Sequence, residues 1–487
     1  MYLGDGTLAR DSSGYAQRIQ LDRQLSFLAV VAALLFLWPL LAYGRPGVIQ
    51  DSAAYYKGGR MAVAFVIDKI QPAEPIQTVA RPGERPQATA VDKAEVRGAR
   101  SVAYSIAAYI FGAPMAQMWV LCAFQALTAG FLGAVTLLAF VENKRGLWPR
   151  LAVLAVASPI AFVACTAIPD IWAGFVILAI ALLATAFERM SNGVRIVTAL
   201  IATAGIAFHL SHVPIALAMT LSAVAWLGFA ALQGRPVPGP KWAWVSAPLL
   251  LGAAATVAFN FVAFGGPSLT GKRYPLTLAR SVAQGPGKWY LEKNCRHLRY
   301  AICEVYPDSP PEDLNAFLWG PNGLKHRASP EQMDRIRAEE SEVVMAATRA
   351  YPFEEIKRVG SSFARQLTRF EPGVGLLDNR IVRDPDGTPQ LRPAPYSRIW
   401  TGLVHWLTII GVIASIAVLL RRFRNDASTR PLIGLILIGI LVNAGVCVYF
   451  SGIVDRYGAR VIWLLPLLAL ALAGKSRADE DPGASPA

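Results

Sequence analysis

The chain has 487 residues, of which 54% are hydrophobic and only 16% are charged, and its formal net charge is +14. About a quarter of the residues in soluble globular proteins are charged, so this composition excludes a soluble protein. The basic residues come without a zinc-finger spacing or an RNA-binding aromatic motif, which argues against nucleic acid and favours membrane lipid and phosphate as partners.

The apolar residues are gathered in continuous runs of about 20, the length that a helix needs to cross a bilayer. Such runs predict an all-α polytopic membrane protein with about ten transmembrane helices. The predicted spans are 25–43, 116–141, 151–167, 171–187, 196–211, 214–233, 243–264, 399–420, 431–450 and 461–474.

A hydrophilic segment of domain size, 265–398, separates the seventh span from the eighth, and we expect it to be mixed but largely helical. Ser329-Pro330-Glu331 has the pattern of a helix start, and an apolar stripe at helical spacing follows from Phe353 to Phe370. The predicted parts are a tail 1–24, a seven-helix module 25–264 with a first outer loop 44–115, the domain 265–398, a three-helix module 399–474 and a tail 475–487.

Arginine and lysine are concentrated in alternate loops. Because cytoplasmic loops carry an excess of these residues, their distribution indicates the orientation of the spans. The basic loops carry Lys144, Arg145 and Arg150; Arg189 and Arg195; Arg235 and Lys241; and Arg421, Arg422, Arg424 and Arg430. All of them fall on the side of the N-terminus. We therefore predict a multi-pass protein of the bacterial inner membrane, with both termini cytoplasmic and the large segment periplasmic.

This topology places several titratable side chains at the outer ends of the spans. They are Asp51, Asp170, His209, His212, Arg456 and Arg460. Charged groups at the ends of an apolar bundle are costly enough to indicate function. Each also has an ordinary explanation: the aspartates can cap helices, the histidines can be satisfied interface residues, and the arginines can bind lipid phosphate or pair with Asp455.

Five cysteines divide between the two environments. Cys122, Cys165 and Cys447 lie in apolar runs and are expected to be buried thiols. Cys295 and Cys303 are eight residues apart in the hydrophilic segment, and an oxidising compartment favours a disulfide between them.

The order of the outer motifs resembles the GT-C superfamily of integral membrane glycosyltransferases. The matching parts are Asp51 with Tyr55-Tyr56, Arg100-Ser101-Val102-Ala103-Tyr104 ahead of Phe111-Gly112, Pro169-Asp170, and an outer domain after the seventh span. The layout is similar to that of protein O-mannosyltransferases and the lipid A aminoarabinose transferase. The chain departs from the family pattern at Ser52, where many members have a second acidic residue.

The resemblance implies transfer of a sugar from a polyprenyl-phosphate donor to a cell-envelope glycan or lipid acceptor. Asp51 would be the catalytic base, and Asp170 would orient the acceptor or help to bind a divalent cation as a cofactor. The donor phosphate would be bound by Arg60, His209, His212, Arg456 and Arg460. The substrate would also contact Tyr55, Tyr56, Arg100 and Tyr104.

Two other functions fit a polytopic chain of this kind. One is an O-antigen-type polysaccharide polymerase or ligase, which would use outer arginines and a diphosphate-linked glycan without requiring Asp51. The other is a non-enzymatic membrane subunit of an envelope polysaccharide assembly system. A transporter is disfavoured, because the chain shows no internal repeat and almost no charge in the middle of its spans.

Overall fold

The computed structural model describes residues 18–70, 100–114, 118–141, 146–372, 379–383, 389–393 and 398–474. Within these ranges six helices are long and apolar enough to cross a membrane: Arg23–Tyr43, Trp119–Phe140, His212–Leu232, Gly239–Phe264, Ile399–Asn425 and Arg430–Phe450. Four further apolar helices are shorter: Val102–Gly112, Leu147–Val156, Pro169–Thr185 and Asn192–Phe208. The chain is therefore a mainly helical membrane protein. Residues 1–17 and 475–487 of the predicted tails lie outside the described ranges.

The described residues up to 264 form eleven α-helices. They are α1 (Arg23–Phe36), α2 (Trp38–Tyr43), α3 (Gln50–Ile70), α4 (Val102–Gly112), α5 (Trp119–Phe140), α6 (Leu147–Val156), α7 (Ile160–Ala164), α8 (Trp172–Thr185), α9 (Asn192–Phe208), α10 (His212–Leu232) and α11 (Gly239–Phe264). Helices α3 and α4 pack against each other in the segment that the sequence assigns to the first outer loop.

Some predicted spans are broken rather than continuous, and the run 25–43 already divides at Leu37 into α1 and α2. The run 151–167 divides into α6 and α7, because the chain leaves the helix at Ala157 and restarts after Pro159. The run 171–187 is preceded by a 3-10 turn, Pro169–Ile171. An apolar run shows which residues are hydrophobic, but the proline and the 3-10 turn determine where the helical hydrogen bonds are interrupted.

Helix α8 lies at the centre of the bundle. Every residue from Trp172 to Ala184 is buried. Helices α5, α9, α10, α11 and α20 (Arg430–Phe450) surround it. A helix that is apolar on all sides belongs in such an interior. Its N-terminal end therefore brings Asp170 into the middle of the bundle.

The segment after α11 has its own helices and a short hairpin. They are α12 (Leu276–Ala283), α13 (Pro286–Asn294), α14 (Ala301–Val305), α15 (Leu314–Trp319), α16 (Leu324–Arg327), α17 (Pro330–Ala350), α18 (Pro352–Leu367), and the antiparallel pair β1 (Asn379–Arg383) and β2 (Pro389–Pro393). The predicted helix start at Ser329 is confirmed, since Ser329 and Gln332 form a reciprocal capping box.

This segment has a hydrophobic core separate from that of the membrane helices. Phe317, Met333 and Ile336 are among its fully buried members. Cys295 and Cys303 form a disulfide that joins the end of α13 to α14. Cys122, Cys165 and Cys447 are buried free thiols, as expected for cysteines in apolar runs.

The chain ends with α19 (Ile399–Asn425), α20, α21 (Asp455–Ile462) and α22 (Leu464–Leu472). The helix that contains the start of the predicted last span, 461–474, begins earlier, at Asp455, and the helical segment is interrupted at Trp463. The continuous apolar residues follow Arg460, so hydropathy marks the apolar stretch and not the start of the helix.

We predict that Gly130→Ala destabilises the bundle by about 1–3 kcal/mol, the usual cost of overpacking. A Cβ at this position of α5 would overlap the carbonyl oxygen of Ala29 in α1. Gly133→Ala, one turn further on, is the matched control, because its Cβ would lie 3.6 Å from Leu151 in ordinary contact. Thermal unfolding in detergent measures both, and equal midpoints would contradict the α1–α5 contact.

Candidate functional site

Two distant parts of the chain run side by side and bring the two aspartates to one place. The backbone N–H of Gly47 donates to the carbonyl of Cys165 at 2.8 Å, and the N–H of Ala167 donates to the carbonyl of Gly47 at 2.9 Å. Asp51 follows the first strand of this bridge, and Asp170 follows the second. Short extended segments in register thus set both carboxylates at the same end of the bundle.

A buried glutamine fixes the second strand. The side-chain amide of Gln125 in α5 donates to the carbonyls of Ala164 at 3.0 Å and Thr166 at 2.8 Å. Its oxygen accepts from the hydroxyl of Tyr104 at 3.1 Å. Gln125 is not among the residues predicted from the sequence. A lone amide inside an apolar span is nevertheless a recognisable signal, because its hydrogen bonds must be made when it is buried.

Asp170 is the buried centre of the site. Its side chain is 5% exposed, and its oxygens lie 3.2 Å from Arg460 Nη1 and 3.6 Å from Arg456 Nη1. Arg460 is fully buried and also donates to Asn443 Oδ1 at 2.9 Å and contacts Cys447 Sγ at 3.0 Å. The guanidinium of Arg460 therefore ties α21 to α20 and to the start of α8.

Asp51 is the accessible carboxylate. Its side chain is 21% exposed, and it accepts a hydrogen bond from Arg100 and lies 3.9 Å from Arg456 Nη1. Arg456 is thus shared between Asp51 and Asp170. Three guanidinium groups face two carboxylates, which leaves one positive charge in excess and favours an anionic ligand.

The two histidines are close together but do not share a helix. His209 ends α9 and His212 begins α10, and the turn between them brings their ring centroids to 5.2 Å. His209 Nδ1 lies 2.8 Å from Ser211 Oγ, which in turn lies 3.3 Å from Arg460 Nη2. His212 Nδ1 lies 2.6 Å from the carbonyl of Gly205, and its Nε2 is buried without a hydrogen-bond partner.

A cavity of about 2450 Å³ opens from the charged end of the bundle towards α12 and α15. Its charged lining includes Asp51, Arg60, Arg100, Arg456 and Arg460, and His209 also lines it. Its apolar wall is formed by α3, α10 and α11, and includes Leu217, Phe259 and Val262. Tyr274 and Trp319 line it on the side of the segment that follows α11. Such a space is larger than the pockets that hold small metabolites.

The three tyrosines that the resemblance assigns to substrate are buried. Tyr55 and Tyr104 pack edge to face with centroids 4.9 Å apart, and Tyr56 packs in the same way on Tyr109 at 5.4 Å. Burial raises the pKa of Tyr55, so its hydroxyl stays protonated. These rings join α3 to α4 and hold Asp51 in place, and they are not part of the cavity lining.

Ser52 and Arg60 share α3 with Asp51 but lie on different sides of it. Ser52 is buried, and its hydroxyl accepts from the N–H of Ile49 at 3.1 Å, which satisfies a donor at the start of the helix. Arg60 is exposed on the cavity wall, about 13 Å from Asp51 along the helix axis.

The described residues do not fit a divalent cation at this site. Nowhere in the described ranges do three His, Cys, Asp or Glu side chains come together as metal ligands. Asp51 and Asp170 both face arginine, and the excess positive charge would repel Mg²⁺ or Ca²⁺. The position next to Asp51 where a second acid would complete a pair holds Ser52, whose hydroxyl accepts a hydrogen bond from the backbone N–H of Ile49.

No family model, no curated protein and no solved structure matches this chain.

We predict that Arg460→Met lowers the free energy of unfolding by about 3–5 kcal/mol, because Asp170 would keep a buried charge with only its more distant partner. Asp170→Asn in the same chain should restore part of the loss, since the uncompensated charge is then removed. Thermal unfolding in detergent measures the double-mutant cycle.

Arg369→Gln is the control for this cycle. Arg369 is 60% exposed and lies 3.5 Å from Asp455, so its removal should cost no more than about 1 kcal/mol. Equal losses for Arg460→Met and Arg369→Gln would contradict a buried ion cluster.

Proposed function

We propose that the protein is a membrane glycosyltransferase that moves a sugar from a polyprenyl-phosphate donor to a cell-envelope glycan or lipid acceptor. The observation that carries the proposal is the shape of the cavity. It combines an apolar wall on α10 and α11 with a cationic end at Arg100, Arg456 and Arg460. An amphiphilic donor with a long hydrocarbon and a phosphate matches both features.

In this proposal the donor phosphate binds where Asp51 now meets two arginines. The phosphate oxygens compete with the Asp51 carboxylate for Arg100 and Arg456, and arginine suits them because its planar fork can meet two oxygens at once. Asp51 is then released from its partners while Asp170 continues to hold Arg456 and Arg460. Binding of the donor thereby prepares the carboxylate for its next role.

Asp51 serves as the general base. It takes the proton from the acceptor hydroxyl as that oxygen bonds to the anomeric carbon of the sugar, and the bond from this carbon to the phosphate oxygen breaks. The polyprenyl phosphate leaves with one additional negative charge. Arg100 and Arg456 stabilise that charge, and the His209 ring lies near enough to Arg460 and Ser211 to assist them.

The topology proposed with this function has the ten crossings predicted from the sequence. Six contain the long helices, three contain the shorter helices Leu147–Val156, Pro169–Thr185 and Asn192–Phe208, and the tenth contains α22. Both termini are cytoplasmic, and the segment after α11 is periplasmic in the inner membrane of a bacterium. The acceptor then approaches the cavity from the side of Tyr274 and Trp319. The cysteine pair 295–303 agrees with an oxidising compartment.

The main alternative is an O-antigen-type polymerase or ligase, which also needs cationic residues for a lipid phosphate. The two activities differ in their demand on Asp51. Loss of function in Arg456→Ala together with full function in Asp51→Asn would favour the polymerase or ligase. Full function in both variants would favour a non-enzymatic membrane subunit.

We predict that Asp51→Asn fails to restore the phenotype of a gene deletion. The deletion should remove or truncate a cell-surface glycan and cause lipid-linked sugar to accumulate, and both are measured by gel electrophoresis and mass spectrometry. The amide keeps the size of the side chain but cannot accept the proton. Complementation by the unaltered gene and by Lys293→Gln, a change on the exposed surface of α13, is the control.

We also predict that polyprenyl phosphate stabilises the purified protein. At about 100 times its Kd a ligand adds about 2.7 kcal/mol to the free energy of unfolding, which thermal unfolding in detergent detects. Polyprenol, which lacks the phosphate, should shift the midpoint much less. Arg456→Gln should lose the difference between the two lipids, whereas Arg421→Gln, at the opposite end of the bundle, should keep it.

A further inference from the structure

The side chains of α18 fall into three sectors around the helix axis, at 100° per residue. One sector is buried in the protein and consists of Glu355, Ser362 and Gln366. A second is charged or polar and exposed, and contains Lys357, Arg358, Ser361 and Arg365. The third is apolar and contains Phe353, Ile356, Val359, Phe363 and Leu367. A soluble helix buries its apolar sector, but here the buried sector is the polar one.

The apolar sector is open where it is widest. Phe353 is 85% exposed and Ile356 is 71% exposed. Exposure of two neighbouring large apolar side chains to water would be unfavourable by about 1.5–3 kcal/mol each. We therefore expect an apolar environment to cover this sector, and the position of α18 identifies that environment.

Helix α18 is anchored to the membrane helices through its buried polar sector. The Gln366 amide exchanges hydrogen bonds with the backbone of Val454, at 3.0 Å and 2.9 Å, just before α21. Glu355 pairs with the buried Arg280 at 2.8 Å, and the Arg280 guanidinium lies 4.9 Å from the centre of the Tyr449 ring in α20. These contacts fix α18 against the cavity end of α20 and α21.

The contact with α20 shows which side of the bundle α18 occupies. The Phe363 ring lies beside Gly445, about 4 Å from where a Cβ would stand. Ile438, Leu441 and Tyr449 share that face of α20 and are exposed, as lipid-facing residues of a membrane helix would be. The apolar sector of α18 thus continues the lipid-facing stripe of α20.

Two independent contacts give the depth of this arrangement. Gly445 lies five residues before α20 ends, which is about 7.5 Å along its axis. Phe370, just beyond α18, packs on His405, with ring centroids 5.9 Å apart, and His405 lies six residues inside α19, about 9 Å along its axis. Helices that lie in a membrane surface bury their apolar face by about 5–10 Å, so both depths agree with that geometry.

We propose that α18 is an interfacial helix whose apolar sector lies in the bilayer, at the boundary between headgroups and acyl chains. Its exposed sector carries Lys357, Arg358 and Arg365 against Glu354, an excess of positive charge that suits anionic headgroups. The bilayer then holds the outer segment over the bundle through α18. This role is independent of the proposed transfer reaction.

The test places a cysteine-linked fluorophore in each sector of the full-length protein in vesicles of phosphatidylglycerol and phosphatidylethanolamine. Phe353→Cys and Ile356→Cys should be quenched by lipid brominated in the acyl chain and protected from aqueous iodide. Ser361→Cys, on the exposed polar sector of the same helix, should show the reverse order. Iodide quenching at Phe353→Cys and Ile356→Cys equal to that at Ser361→Cys would overturn the proposal.

A second measurement uses the unaltered chain, so that it does not depend on labelling. A phospholipid with a photoactivated carbene precursor in its acyl chain should tag peptides of α18 and of α20, and leave α17 untagged. Tags on α20 without tags on α18 would overturn the proposal, because the probe would have reached lipid-facing residues without finding the helix.

Discussion

The buried pairing of Asp170 with Arg456 and Arg460 is the constraint on which the rest of the site depends. Arg460 is fully buried among apolar helices, where an unpaired guanidinium would be costly by several kcal/mol. The carboxylate of Asp170, at the start of α8, offsets that cost from inside the bundle. Asn443 completes the arrangement by accepting from Arg460, so α8, α20 and α21 must all be in place before any of these groups is satisfied.

Position in the chain explains why Asp170 and Asp51 behave differently although both are acids at the same end of the bundle. Asp170 starts a helix that is buried on every side, and its oxygens meet arginine inside the protein. Asp51 lies in the first turn of α3, which packs against α4 at the edge of the cavity. The side chain of Asp51 remains partly exposed. The same residue type is thus a buried counter-ion in one place and a partly exposed partner of arginine in the other.

Much of the fold could be predicted from the sequence, because long apolar runs have few structural solutions in a bilayer. The breaks could not: the run that becomes α6 and α7 is interrupted by Pro159, and the last segment begins before its apolar stretch because Arg460 is buried by a partner nearly 300 residues away. A prediction from hydropathy therefore begins the apolar span after Arg460. The tyrosines of α3 and α4 are predicted to contact substrate, and the structure packs their rings between the two helices. Aromatic residues at a membrane face suit either a ligand or a helix contact, so the sequence does not distinguish the two.

The charged cluster and the interfacial helix are physically connected through the end of α20. Asn443 in α20 receives Arg460, while Tyr449, six residues later, receives Arg280, whose charge is paired with Glu355 of α18. A shift of α18 relative to the membrane surface would therefore act on a helix that also holds the arginines of the site. Because both ion pairs are buried, neither can be broken cheaply, and the segment above the cavity is fixed in position by the same helix that fixes the charges below it.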